Sequence, residues 1–164
     1  MKKLNDIEKT LFVTIGLPGV DGKEALKGKA IYDLKNNRLT DLDVSLIFED
    51  EYLKMLDTVQ RKGLFFDKTN YVFEYFFRTH NAERRCKVLP AQVIGFKAER
   101  RGECNIMASR VRYYNGETKD ERLELSPLMR VSDVNLNEFV LVHNGVICKK
   151  ITETEFKEVI QKYF

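Results

Sequence analysis

Tryptophan is absent from this chain of 164 residues, histidine occurs only twice, and there are three cysteines, three prolines and nine glycines. So little proline and glycine, beside 43% hydrophobic residues, excludes a collagen-like, low-complexity or disordered chain. The cysteines, Cys86, Cys104 and Cys148, are widely spaced and form no Cys-x-x-Cys pair, so no disulfide framework is implied and reduced, partly buried thiols are expected. A zinc site could draw on His80, Cys86, Cys104 and either His143 or Cys148, but structural sites take ligand pairs about two to four residues apart, and these are not. No metal and no cofactor are expected.

Long apolar runs are also missing. The longest, at residues 11–13, 46–48 and 139–142, fall far short of the roughly 20 residues a membrane helix needs, so no membrane association is expected. Lys2 and Lys3 are followed by no apolar core of a secretory signal, and a cytoplasmic setting is the expectation. Gly16-Leu17-Pro18-Gly19 lacks the Gly-Lys-Ser/Thr ending of a phosphate loop and reads as a turn. Lys62-Gly63-Leu64-Phe65-Phe66 lacks the aromatic spacing of an RNA-recognition strand and reads as a helix end. With so few histidines, an enzyme would have to use His80 or His143 with nearby carboxylates or Cys86, and neither histidine accompanies a nucleophile motif. Asp41 and Asp43, then Glu49, Asp50 and Glu51, are accounted for by solvation and by the positive end of a helix.

What the chain does have is positive charge in one place. Residues 78–112 hold nine basic side chains against three acidic ones, a balance of +6, while the whole chain is +3. Such a patch is the electrostatic footprint of an acidic macromolecule, either nucleic acid or an acidic protein surface.

The pattern of elements predicts an α+β fold, a single domain over 1–164 with a possible seam near 63. Residues 11–15 read as a short strand, and 30–34 and 39–48 as a hairpin about Asn36-Asn37, because Leu42, Val44, Leu46 and Phe48 alternate with polar residues. Tyr52, Met55, Leu56 and Val59 repeat at helical spacing, predicting an amphipathic helix over 50–62. From Leu64 onward the reading is β, with residues 71–77 as one strand, and an antiparallel meander or small barrel-like sheet is expected. Asn115-Gly116 and Asn144-Gly145 mark two hairpins. The capping box Thr152-x-x-Glu155 and the stripe Phe156, Val159, Ile160, Tyr163 predict a C-terminal helix over 153–163 that docks on the sheet.

About a turn at Arg101-Gly102, Phe96 should face Met107, Ile94 Ser109 and Gln92 Val111. The other face should pair Lys97 with Ile106, Gly95 with Ala108, Val93 with Arg110 and Ala91 with Arg112. The expected function is a non-catalytic binding module engaging an acidic partner through this basic hairpin. The binding residues would be Arg84, Arg85, Lys97, Arg100, Arg101, Arg110 and Arg112, with Tyr113, Tyr114 or His80 available to stack on bases.

Overall fold

Helix caps and buried aromatic residues organise the first half of the chain, and tight turns organise the second. A computed structural model describes residues 4–63 and 70–164, apart from the side chains of 62, 63, 99, 101, 104–107, 118–124 and 131. The chain forms two compact units, Met1–Arg85 and Cys86–Phe164.

The described part of the first unit is helical. Helix α1 (Asp6–Gly16) opens on Asn5, whose side chain accepts from the Glu8 amide (2.9 Å) while Glu8 accepts from the Asn5 amide (2.8 Å). The expected strand at 11–15 lies inside it: Lys9, Phe12, Val13 and Gly16 are buried at i, i+3, i+4 and i+7, one helical face. The expected hairpin is also helical, as α2 (Glu24–Lys35) and α3 (Asp41–Phe48). Asn37 does take a positive φ of 54°, but just past the end of α2 and not in a hairpin turn. Thr40 caps α3 in a reciprocal box with Asp43, and Val44, Ile47 and Phe48 are buried at helical spacing. The alternation that reads as a strand arises because Leu42 and Leu46 are exposed on that helix.

Helix α4 (Asp50–Gly63) has the expected core face, with Tyr52, Met55, Leu56 and Val59 all buried. Residues 64–69, where the β reading begins, lie outside the described residues. The expected strand at 71–77 is helix α5 (Tyr71–Glu74), capped by Asn70 and continued as a wider π-helical segment (Tyr75–His80) and the single turn α6 (Asn81–Glu83). Val72, Phe73, Tyr75, Phe76 and Phe77 are all buried, and a helix covered on every side shows no amphipathic period to distinguish it from a strand. Phe12 centres this core, its ring 4.7 Å from Phe48, 5.5 Å from Phe76 and 5.7 Å from Tyr75. Gly16 has to be glycine here: a Cβ would lie 2.6 Å from the Phe48 ring.

The second unit is a curled sheet with a helix on it. Strands β1 (Val88–Arg101), β2 (Cys104–Tyr113), β3 (Thr118–Leu125), β4 (Phe139–His143) and β5 (Val146–Ile151) are ordered β1-β2-β3-β5-β4, and β4 returns to β1 to close the ring. Pairing is antiparallel except at β3–β5, a thin parallel seam of two pairs, Glu124↔Val146 and Leu125↔Ile147. The Asn144-Gly145 turn has positive φ at both residues (51° and 74°), the backbone that matches the twist of a hairpin. Ala91, Val93, Val111, Tyr113, Val134, Val140, Val142 and Ile147 form the interior. Helix α7 (Glu153–Tyr163) has the predicted capping box at Thr152. It lies against β1 and β4, with Phe156 stacked on Phe139 (4.5 Å) and Val159 buried. The fold is α+β, and among the described residues no helix is long and apolar enough to cross a membrane.

Candidate nucleic-acid interface

The unit boundary cuts the basic run of the sequence in two. Arg78, Arg84 and Arg85 against Glu83 belong to the helical unit, three charges against one, or +2. Lys87, Lys97, Arg100, Arg101, Arg110 and Arg112 against Glu99 and Glu103 belong to the barrel, six against two, or +4. In the helical unit Arg78 pairs with Glu74 (3.0 Å), and the Arg84 guanidinium holds Glu51 through Nε (2.6 Å). Arg85 is exposed on the same unit.

The β1–β2 ribbon concentrates the rest. Its turn is Gly102-Glu103, with Gly102 at φ 60° and Arg101 paired with Cys104, two residues out of step with the expected register. A step of two keeps every side chain on its face. The ribbon therefore pairs Lys97 with Ala108 and Gly95 with Arg110, and Lys97 and Arg110 share the outer face with Arg112. Past that point the expected pairing fails. Ile94 is an extra residue in β1, a bulge between Val93↔Val111 and Gly95↔Arg110. It reverses the facing of the strand, so Ala91 and Val93, expected beside the arginines, are fully buried in the barrel, and Gln92 is opposite Arg112.

Lys97, Arg100, Arg110 and Arg112 are exposed, whereas the Arg101 side chain lies outside the described residues. The aliphatic stem of Arg110 lies over Gly95, 3.7 Å from where a Cβ would be, an ordinary van der Waals separation. On the opposite row Phe96 is 39% exposed, two positions from Ala98 and four from Arg100. Phe96 was not among the expected stacking residues, though the same strand alternation marks it. Of those that were, Tyr113 is buried in the barrel core, His80 is buried in the helical unit, and Tyr114 is partly exposed with its ring 4.3 Å from Phe164.

Asp41, Asp43, Glu49 and Glu51 are each held in hydrogen bonds or ion pairs. Asp41 accepts from the Tyr52 hydroxyl (2.7 Å), which is raised above its ordinary pKa by burial and then by that bond. Burial would raise the Asp43 carboxyl, but hydrogen bonds from Lys29 and Thr40 outweigh it and hold the group below its ordinary range. Glu49 accepts from Lys23 (2.5 Å) and Glu51 from Arg84. Cys148 is buried, donates to the Leu141 carbonyl (3.3 Å), and is pushed up to about 12 by desolvation. Cys86 is half-buried and, in the same unit, has its Sγ within 4.8 Å of an imidazole nitrogen of the buried His143; the Cys104 side chain lies outside the described residues. No known protein family matches the chain, and no curated protein or solved structure is significantly similar to it.

Proposed function

We propose that the barrel unit is a nucleic-acid-binding module without chemistry of its own, working through the outer face of the β1–β2 ribbon. The observation that carries this reading is the row Lys97, Arg110 and Arg112, three cations on one face of a two-stranded ribbon whose neighbours there, Gly95 and Ala108, are small. Small neighbours leave the charges accessible to a phosphate backbone, and Arg100 adds an exposed cation on the other row near the tip. Arg84 and Arg85 are left to the helical unit, where Arg84 already holds Glu51. Phe96, exposed on the ribbon's other face, offers a ring on which an unpaired base can stack where a strand passes over the ribbon's edge, which favours a single strand over an acidic protein surface. Five-stranded barrels closed in Greek-key fashion commonly bind oligonucleotides beside their β1–β2 loop, and this support is an analogy of architecture alone.

Each phosphate contact releases condensed counterions, so affinity for a mixed-sequence single-stranded oligonucleotide should fall linearly with log salt. The double substitution Arg110→Ala with Arg112→Ala should flatten that slope by about two. Should the wild-type chain show no salt-dependent affinity below ~100 µM at ~50 mM salt, nucleic acid is excluded and an acidic protein surface becomes the partner of this face.

A further inference from the structure

We propose that Cys86 is a site of reversible thiol modification, reacting as a thiolate beside His143 with low-molecular-weight disulfides. Cys86 leads into β1 two residues before Val88, and Val88 is paired across the ladder with His143. His143 is held from both sides, by Val88 and by Val146 of β5, and is only 1% exposed. Its ring therefore has little room to leave. The Cys86 Sγ lies within 4.8 Å of an imidazole nitrogen, a separation at which opposite charges favour the charged form of each group. Proton transfer from the thiol to the imidazole gives a thiolate and an imidazolium, and the thiolate is the form that attacks sulfur. Cys86 is also half-buried and can be reached, whereas the desolvated Cys148 cannot.

The small disulfide is itself the oxidant: the Cys86 sulfur is oxidised to the disulfide level and one half of the reagent is reduced to a thiol. The Cys86 thiolate attacks one sulfur of the small disulfide, forming a mixed disulfide. The S–S bond of the reagent breaks and its other half departs as a thiolate; the proton that His143 received from Cys86 passes to that thiolate where it is basic, as with glutathione, or to water where it is not, as with thionitrobenzoate.

The test uses the full chain carrying Cys104→Ala and the chromogenic disulfide 5,5′-dithiobis(2-nitrobenzoate) at neutral pH. A native thiol of this kind should react in a single one-equivalent phase roughly ten times faster than free cysteine, since a free thiol is only a few per cent thiolate there. Cys86→Ser should abolish the phase, and His143→Gln should slow it to the rate of free cysteine. Oxidised glutathione should add one glutathionyl mass at Cys86, and Cys148 should react only on unfolding. A native Cys86 rate at or below that of the same chain in denaturant overturns the proposal, and this comparison needs no histidine variant to fold. A folded His143→Gln chain that keeps the fast phase overturns it as well.

Discussion

The helical unit and the barrel are built from similar proportions of apolar residue, yet their sequences speak differently. In the barrel the decisive residues sit in turns: Gly102, Gly116, Asn144 and Gly145 all take positive φ, a demand few residue types meet, so the hairpins are specified locally. In the helical unit the decisive residues are apolar and buried from several sides. Residues 71–77 contain six buried side chains, Glu74 among them, and α3 exposes Leu42 and Leu46 while burying Val44 and Phe48. Both patterns mimic a strand. Backbone conformation is legible where a turn requires it and obscure where only tertiary packing sets it.

That contrast can be broken first at the aromatic centre of the helical unit. Phe12→Ala removes a ring with no solvent exposure and should cost about 3–5 kcal/mol. Measured by hydrogen exchange and mass spectrometry, protection should fall across α1, α3 and α4 while β1, β2 and β4 keep theirs. Equal loss in both would mean the two units unfold as one. A smaller effect sharpens the barrel side. Thr152 accepts from the Glu155 amide (3.1 Å), and Thr152→Ala should cost about 1 kcal/mol, read as faster exchange confined to α7. Faster exchange throughout the sheet would show that α7 is integral to the barrel.

The smallest effect is one of pH. Asp43 has a folded pKa held below its ordinary 3.8, so it binds its proton more readily in the unfolded chain. Its contribution to stability is therefore present above about pH 4 and is lost as the pH falls through the lower folded value. Between pH 5 and pH 3 the wild-type helical unit should lose urea resistance, and Asp43→Asn should lose less of it. An identical loss in the variant would place the acid sensitivity elsewhere.

Some of the missed helices had left marks. Asn5-x-x-Glu8 and Thr40-x-x-Asp43 are capping boxes as regular as Thr152-x-x-Glu155, and reading them would have turned residues 6–16 and 41–48 into helices. The outer row of the proposed interface was legible because a register error of two leaves facing unchanged. The bulge at Ile94 was not, since an extra residue in a strand leaves no compositional trace when its neighbours are apolar on both sides. The proximity of Cys86 and His143 was equally hidden: fifty-seven residues separate them in sequence, and only the β1–β4 pairing joins them.

The thin seam between β3 and β5 has a further consequence. Beyond Ile147, β5 pairs with β4 alone among the described residues, so its other edge presents main-chain donors and acceptors with no strand beside them. Edges of this kind recruit foreign strands and let copies of a protein stack into fibres. This one carries Lys149 and Lys150 in succession, and a second copy laid alongside would bring like charges together at strand spacing. Lysines on an open edge discourage such pairing, and Lys150 is at the same time held by Glu138 of the same unit.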